Sequence, residues 1–417
     1  MSATLLSLPS ETSTSESVPW PLRTTVHAIA TTGDSHLRDR WLAAFERDPQ
    51  ASSWQHPLSV LAECRALETS RCPPLLIECL SSAETVGAAI LLPKSITTRQ
   101  LGGIGPKWTL QGYRLVGGRM LNVDQDAAVD QQLLQAVYDA VTDSAADFLL
   151  IEDIDQPSPL WSSVTSSLPS NWKAFTPNGV QSRLRIRLPE QGDGYWQQFS
   201  SKTRGTFRRK LKKFGETKLE RITRADEVPN FLAVAHQISL QTWQSRQLGL
   251  RVRNSAAEQA SLSALADAGL LRCYLWSAQG EPAAFCIGNQ AQGTFHYEEV
   301  GYATQFAKFS PGQMLVVQMI EDLLAYDRPH TFDFGGGDAD YKRMFANDVS
   351  QSGTVWLTPP RWKSRGALHW GQFCRSLKTT ARQTAQRLGL ATRVRQWIRY
   401  GGATATPPTS TEAEETT

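Results

Sequence analysis

The chain has 417 residues, of which 41% are hydrophobic and 20% are charged, a composition typical of a globular protein. Its mean hydropathy is −0.34, and its longest apolar runs, such as residues 88–92, are far shorter than the ~18 residues that a membrane-spanning helix needs. Six cysteines without a Cys-x-x-Cys pair and seven scattered histidines favour a reduced, cytoplasmic chain without a metal centre.

The N-terminal part of the chain begins with a Ser/Thr-rich segment. The composition of residues 1–18 predicts a disordered segment. These residues carry no basic side chain, which argues against a secretory signal. Two apolar runs, residues 74–80 and 85–92, flank a short polar turn and predict a β-hairpin. After a long irregular loop, apolar residues at helical spacing predict a helix over residues 127–144, and an apolar run predicts a strand over residues 148–152.

The middle of the chain repeats this order. The predicted elements are a basic helix within 196–214, an amphipathic helix over 225–246, strands over 271–276, 283–289 and 294–302, a helix over 313–325 and a strand over 331–334. Both parts therefore offer a hairpin, a helix and a strand in the same order. The pattern favours a tandem duplication of one α/β unit.

The C-terminal part carries the charge asymmetry. The net charge is only +3, but residues 361–400 contain ten Lys and Arg and no Asp or Glu. An apolar stripe on this segment predicts amphipathic helices; it comprises Leu368, Trp370, Phe373, Leu377, Ala381, Ala385 and Leu388. Such helices suit the interface of an anionic membrane, although docking of the stripe on the protein body and, less favoured, nucleic-acid binding are alternatives. Residues 401–417 are predicted to be disordered.

Four segments of the second part carry a family resemblance. They are the basic stretch 201–211, the strand-turn-strand 271–284, Ser-Pro-Gly with the residues after it at 310–315, and Asp-Phe-Gly with Tyr-Lys within 332–345. With these segments, residues 195–350 resemble the GNAT-type acyltransferase domain of the BioF2-like, cellulose-biosynthesis-associated acetyltransferases. That family is similar to the Fem-type peptidyl transferases, which use aminoacyl-tRNA.

The resemblance and the repeat together imply an α/β fold with two tandem GNAT-like halves. Each half is expected to be a mixed, mostly antiparallel sheet flanked by helices, with C-terminal amphipathic helices added. The predicted divisions are 1–18 (disordered), 19–188 (N-terminal half), 189–360 (C-terminal GNAT domain), 361–400 (basic appendage) and 401–417 (disordered).

The Ser-Pro-Gly segment is the predicted binding site for acyl-CoA. Ser310 is a good helix N-cap, and Gly312 lets a ligand approach the backbone. The amides of Gly312, Gln313 and Met314 would then face the phosphates at a helix N-terminus. A second segment, Gln100–Gly105, matches the Q-x-x-G-x-G pyrophosphate signature, but Pro106 and no helix follow it, so a surface loop is predicted there.

The predicted catalytic residues are Glu298, Tyr341 and Lys342. In GNAT-like folds a Glu on the strand before the phosphate-binding loop often acts as the base, and strand alternation places Glu298 and Glu299 on opposite faces. Glu298 is the preferred of the two. Lys342 follows a glycine-rich turn and could stabilise an oxyanion or hold a phosphate. Each of these side chains could instead be an ordinary surface group.

Arg204, Arg208 and Asp333 are the predicted substrate-binding residues. The basic helix has seven cations between residues 202 and 213, which suits the phosphates of a donor, a nucleotide-sugar or an RNA, although a solvated helix face would look the same. Asp333 could orient the loop that follows it.

The predicted function is transfer of an acetyl or acyl group from acyl-CoA to an amine or hydroxyl of an envelope or polysaccharide precursor. One alternative is a Fem-like enzyme that uses aminoacyl-tRNA or an acyl-carrier protein. Another is an inert GNAT-fold accessory protein of envelope assembly. The expected location is the cytoplasm, with peripheral contact to the inner membrane face through residues 361–400, and no nucleic-acid partner except tRNA in the alternative.

Overall fold

The computed structural model describes residues 21–29, 34–67, 70–97, 108–192, 194–241 and 252–387. The strands are β1 (Arg23–Ala28), β2 (Leu75–Ser81), β3 (Glu84–Thr97), β4 (Thr109–Leu115), β5 (Leu121–Asn122), β6 (Leu149–Gln156), β7 (Lys173–Phe175), β8 (Val180–Arg187), β9 (Thr217–Ile222), β10 (Cys273–Ala278), β11 (Glu281–Ala291), β12 (Thr294–Tyr302), β13 (Thr331–Gly336) and β14 (Asp348–Thr358). The helices are α1 (Ser35–Arg47), α2 (Pro57–Ala66), α3 (Ala127–Asp143), α4 (Pro159–Ser166), α5 (Ser201–Lys212), α6 (Val228–Gln241), α7 (Ala256–Asp267), α8 (Pro311–Tyr326), α9 (Asp340–Phe345) and α10 (Trp362–Arg387).

All of these strands belong to one 14-stranded sheet. Its order is β1-β2-β3-β4-β6-β14-β8-β13-β12-β11-β10-β9, with β5 paired to β3 and β7 paired to β14. Read inwards from its two edges, the sheet repeats itself: three antiparallel pairings are followed by one parallel pairing, β4 with β6 on one side and β12 with β13 on the other. The predicted tandem repeat and the mixed, mostly antiparallel α/β fold are confirmed.

The two halves exchange their last strands. β8 is the last strand of the first half in the chain but pairs with β13 of the second half, whereas β14 is the last strand of the second half and pairs with β6 of the first. The two exchanged strands also pair with each other at the centre of the sheet. The boundary predicted between residues 188 and 189 stays a prediction. Strands from both sides of it pair with each other in one sheet, so the sheet itself shows no division there.

Helices cover both faces of each half. In the second half, the core beneath α8 contains Phe295 and Phe332, and the core on the other face contains Phe285 with residues of α6 and α7. This division follows from alternation along β11 and β12, which sends successive side chains to opposite faces. α10 packs Ala367 and Leu368 against the first half.

The predicted elements with strong periodicity are all present, and the weaker ones were missed. β4 lies in what the sequence suggested was an irregular loop, because its Gln, Gly and Arg residues interrupt the apolar run. Gly112 is needed in β4, since a Cβ there would lie 2.2 Å from the Phe148 carbonyl oxygen. The predicted disordered ends 1–18 and 401–417, the Gln100–Gly105 motif and the appendage beyond Arg387 lie outside the described residues.

Candidate functional site

The fork between β12 and β13 positions the candidate site. The strands pair in parallel over only three residues each, 294–296 with 331–333, and then separate. β12 leads through a 3-10 turn into α8, and β13 leads through a glycine turn into α9. Ligands bind at such strand ends in many α/β folds, because separated strands leave backbone groups and helix termini accessible.

The N-terminus of α8 is the predicted phosphate-binding segment. Ser310 is the N-cap residue, as predicted, but its backbone is left-handed (φ 61°, ψ 55°) and its hydroxyl makes no capping bond. The amides of Gln313 and Met314 both donate to the Ser310 carbonyl, at 3.1 and 3.2 Å. Gly312 is the open position of the turn, since a Cβ there would meet only Tyr302 Cδ1, at 4.0 Å.

A cation that the sequence analysis did not single out lies at this helix end. Lys210 of α5 donates from Nζ to Ser310 Oγ at 3.3 Å and to Gln313 Oε1 at 2.9 Å. The ammonium group therefore adds positive charge where the helix dipole of α8 is already positive. No local signal in the sequence distinguishes Lys210 from the other cations of α5, because the contact joins residues about one hundred positions apart.

A β-bulge decides where Glu298 and Glu299 lie. Gly288 of β11 pairs with Tyr297, but the preceding Ile287 pairs with Glu299, so that Glu298 is the extra residue. Tyr297 and Val300 pack in the core beneath α8. The two carboxylates therefore share the opposite face, and the prediction that alternation separates them is wrong because the bulge interrupts the alternation.

The surroundings of Glu298 suit a general base. The residue is exposed, yet dense packing around its carboxyl group raises the pKa of Glu298 to about 7, although hydrogen bonds from Asn289 and Trp54 act in the opposite direction. Asn289 Nδ2 donates to Glu298 Oε1, and Ser53 Oγ donates to Asn289 Oδ1. Both protonation states of such a carboxyl are populated near neutral pH, as proton transfer requires.

The first half of the chain thus contributes to the surroundings of Glu298. Ser53 and Trp54 belong to a short 3-10 turn, Ser53–Gln55, that precedes α2. The Trp54 ring packs on His296, with ring centroids 4.7 Å apart. Burial lowers the pKa of His296 to about 4, so its imidazole is neutral at pH 7. Sequence reasoning missed Ser53, Trp54 and Asn289, because only the pairing of the two halves brings them together.

Aromatic side chains fill the α8 face of the fork. The Tyr297 and Phe334 rings lie 5.4 Å apart, and the Phe334 and Tyr341 rings lie 6.3 Å apart. Burial raises the pKa of Tyr341, which keeps its hydroxyl protonated. Tyr341 therefore brings a protonated hydroxyl to the fork, and its predicted catalytic role stays a prediction.

Lys342 holds the end of β13. Its Nζ donates to the Phe334 carbonyl oxygen at 2.8 Å and to the Gly336 carbonyl oxygen at 3.4 Å. The turn between them requires left-handed glycines, since Gly335 has φ +67° and Gly337 has φ +92°. These bonds fix α9 to the strand, and the predicted oxyanion role of Lys342 stays a prediction.

Asp333 is buried among cations and backbone. Arg183 and Arg185 bind its Oδ2, at 2.7 and 3.2 Å, and the Gly335 amide donates to Oδ1 at 2.8 Å. Although burial alone would raise it, these guanidinium groups lower the pKa of Asp333 to about 2. The residue is only 2% exposed, so the contacts are those of a residue that orients the glycine turn. Its predicted contact with substrate stays a prediction.

The other two predicted substrate-binding residues lie away from the fork. Arg204 and Arg208 line a groove of about 400 Å³ between α5 and α8. The structure therefore brings Glu298, Tyr341, Lys342, Asp333 and the start of α8 to the fork, and places Arg204 and Arg208 along the side of α8.

Comparison with known proteins agrees with this geometry. Residues 201–343 match the acetyltransferase (GNAT) domain family. The second half carries a GNAT acetyltransferase domain. No curated protein sequence matches the chain.

Solved structures resemble the chain over both halves. FemX is 13% identical, with a TM-score of 0.57 over 80% of this chain and 96% of FemX, which shows a shared fold. The C-terminal domain of a candidate lysylphosphatidylglycerol synthetase from Agrobacterium fabrum is 12% identical, with a TM-score of 0.49 over 81% and 95% of the two chains. A tandem GNAT protein from the clavulanic acid pathway is 11% identical, with a TM-score of 0.43 over 81% and 99%.

Three further findings concern the part of the chain that the structure describes. None of its helices is both long and apolar enough to cross a membrane. Within the same ranges, no group of three or more His, Cys, Asp and Glu side chains is arranged to hold a metal ion. All six cysteines are buried and unpaired.

Proposed function

We propose that the chain transfers an acetyl or acyl group from acyl-CoA to an amine or hydroxyl of a cell-envelope or polysaccharide precursor. The observation that carries the proposal is the position of Glu298, a hydrogen-bonded carboxyl group with a pKa of about 7, at a bulge beside the β12–β13 fork of a GNAT domain. The narrower resemblance to BioF2-like acetyltransferases supports the class of acceptor.

The proposed reaction uses groups at the fork. Glu298 takes the proton from the acceptor amine or hydroxyl as its nitrogen or oxygen bonds to the acyl carbon. The carbon–sulfur bond then breaks, and the protonated Tyr341 hydroxyl, from the other face of the fork, returns a proton to the leaving thiolate. Lys342 and Asp333 hold the turn that positions Tyr341, and the ammonium of Lys342 is the predicted oxyanion partner.

The donor phosphates are assigned to the start of α8. Gly312 leaves room for a ligand, and Lys210 adds a cation there. Calorimetry with acetyl-CoA tests this assignment. Gly312→Glu should abolish binding, because it adds bulk and negative charge, whereas Gly312→Ala should keep it. Both variants should fold, since the site around Gly312 is open. Unchanged binding by Gly312→Glu would contradict the proposal.

An inert accessory protein is the second candidate, and one observation favours it. Tyr297, Phe334 and Tyr341 fill the α8 face of the fork, as expected if no acyl chain enters there. The two candidates differ in one measurement. Binding of acetyl-CoA by the wild-type protein with micromolar affinity supports the enzyme, and absence of binding supports the accessory protein.

The third candidate uses a different donor. A Fem-like enzyme would take its acyl group from aminoacyl-tRNA, and the cations of α5 would suit an RNA backbone. Calorimetry with a tRNA, alongside the calorimetry with acetyl-CoA, distinguishes the two donors. Only the true donor should bind more weakly to the Gly312→Glu variant than to the wild type.

We also propose that the C-terminal helix contacts an anionic membrane surface. Ala367 and Leu368 of α10 dock on the body, but Phe373 and Leu377 are 58% and 50% exposed. Apolar side chains that remain exposed on a helix with Lys and Arg residues suit a lipid interface.

A further inference from the structure

A groove at the C-terminal end of α3 lies in the first half of the chain. It encloses about 310 Å³, enough for a small organic ligand. The edge strand β1 and its neighbour β2 form one side of the groove, and the last two turns of α3 form the other. All of its lining residues belong to the first half, so the groove is separate from the candidate site at the β12–β13 fork.

Two exposed carboxylates on the α3 side of the groove have no cationic partner. Asp139 and Asp143 are one helical turn apart, and no Lys, Arg or His side chain in the described part of the chain forms an ion pair with either of them. Gln135 donates to Asp139 Oδ1 at 3.0 Å, and Arg361, which reaches this end of α3, donates to the Thr142 carbonyl oxygen instead. Like charges four residues apart, at the negative end of a helix dipole, oppose the stability of the helix.

The second half of the chain supplies cations at the corresponding end of α8. Asp322 lies in the last turns of α8 and Asp327 directly after it, and Arg221 of the edge strand β9 binds both carboxylates, at 2.6 and 2.9 Å. Arg272, directly before β10, also binds Asp327, at 2.8 Å. In the first half, the edge strand β1 contributes Val26 at this place, and no arginine lines the groove. The first half therefore has the acidic helix end without the internal cation.

A buried hydroxyl at the inner end of the groove independently indicates a ligand. Tyr113 of β4 lines the groove and is 0% exposed, and its hydroxyl has no hydrogen-bond partner among the described residues. Burial raises the pKa of Tyr113 to about 12, although the neighbouring Ser144 hydroxyl acts in the opposite direction. Ser144 donates its own proton to the Ala140 carbonyl oxygen at 2.6 Å. The unpaired phenol costs free energy, which an N–H donor of a ligand would offset.

The remaining lining of the groove is mainly apolar. Val26, Leu75, Ala136 and Ala140 present hydrocarbon surface between the polar groups. Such surface suits methylene groups, whereas the carboxylates and the phenol oxygen suit N–H donors. A bare inorganic cation would leave the apolar surface without a partner, and the two aspartates would repel an anion.

We infer that the α3 groove binds a small organic cation, in which an ammonium or guanidinium group is carried on a short aliphatic chain. The N–H groups of the cation bind Asp139 and Asp143, one of them donates to the Tyr113 hydroxyl, and the methylene groups contact Val26. The ligand thus supplies the positive charge that Arg221 supplies in the second half. This site is independent of the proposed acyltransferase function.

The test is calorimetry of the full chain with agmatine, which has an ammonium group and a guanidinium group on a four-carbon chain. The wild type should bind agmatine with a Kd of about 1 mM or lower. Asp139→Asn and Asp143→Asn should each weaken binding about tenfold, because each removes one charge-assisted hydrogen bond. Asp124→Asn is the matched control, since Asp124 is also exposed but precedes the opposite end of α3. Butan-1-ol is the neutral comparison probe and should not bind.

Thermal unfolding without ligand separates a binding role from a structural one. Tyr113→Phe removes only the unpaired hydroxyl, so its Tm should not fall, whereas its agmatine binding should be severalfold weaker. Asp139→Asn and Asp143→Asn should also keep or raise the Tm, because they remove repulsion at the end of α3. Val26→Arg places a guanidinium group on the edge strand, as Arg221 does on β9, and should prevent agmatine binding in a protein that remains folded.

Several results would overturn the cation site. They are absence of binding by the wild type at about 10 mM agmatine, equal weakening in Asp124→Asn and the two groove variants, and binding of butan-1-ol as strong as that of agmatine. A lower Tm of Tyr113→Phe or of both aspartate variants would show that these groups stabilise the fold, and it would also remove the proposal.

Discussion

Ser53 donates a hydrogen bond to the side chain of Asn289, although 236 positions separate the two residues in the sequence. Asn289 in turn donates to Glu298, so that a turn of the first half orients the candidate base of the second half. The two GNAT-like halves therefore share one candidate site as well as one sheet.

This relationship predicts the effect of removing Asn289. The hydrogen bond from Asn289 stabilises the charged form of Glu298, so Asn289→Ala should raise the midpoint of the pH–rate profile by about one pH unit. Ser53→Ala should shift the midpoint in the same direction by less, because it only releases Asn289. Gln290→Ala, on the opposite face of β11, is the control. A midpoint that stays in place or falls contradicts the prediction.

Glu298 itself should control the rate. Because the carboxylate form acts as base, the wild-type rate should increase with pH through about 7 and then level off. Glu298→Gln should reduce kcat/KM by about 10²- to 10⁴-fold and abolish this dependence. Glu299→Gln is the matched comparison, since the bulge places it on the same face. A larger loss in Glu299→Gln than in Glu298→Gln would reverse the assignment.

Lys342→Ala should reduce turnover without unfolding the protein. The variant loses the bonds to the Phe334 and Gly336 carbonyl oxygens and one positive charge beside Tyr341. We expect kcat to fall about 10²-fold, as for the loss of an oxyanion donor, with the far-UV circular dichroism unchanged. A kcat close to that of the wild type shows that Lys342 only holds the turn.

Asp333→Asn should destabilise the protein by about 3 kcal/mol at pH 7, because two buried guanidinium groups lose their counter-ion. The pKa of Asp333 in the folded state, about 2, lies below its unfolded value of 3.8. Its contribution to stability is therefore present above pH 3.8 and is lost as the pH falls through about 2. Urea unfolding at pH 7 and pH 3 measures this, and a constant difference between wild type and variant would contradict it.

Membrane contact through α10 should depend on its exposed apolar residues. The wild-type chain should float with anionic vesicles at low salt, and Phe373→Ser combined with Leu377→Ser should reduce flotation about tenfold or more. Gln372→Ser is the control, because it is exposed and lies off the apolar stripe. Truncation at Pro360 is unsuitable, since it uncovers the surface that Ala367 and Leu368 bury. Equal flotation of all variants removes the proposal.

Strong local patterns in the sequence were enough to predict most elements. The bounds of β12 were predicted as observed, and α3 and α8 agree to within a few residues, because apolar side chains at a regular spacing define a face that has to be buried. The position of Ser310 before α8 and of glycines at the end of β13 also follows from local rules on helix starts and left-handed turns.

The composition of the site depended on the tertiary structure. The bulge at Glu298 exists only because β11 and β12 pair with a shifted register, and no residue of β12 alone indicates it. Lys210 at the start of α8, Ser53 beside Asn289 and Arg183 on Asp333 are contacts between distant segments. The exchange of β8 and β14 is of the same kind. A sequence specifies such contacts only through packing of the whole chain. The periodicity of a segment shows which of its side chains share a face, but it does not show which strand or helix will lie against that face.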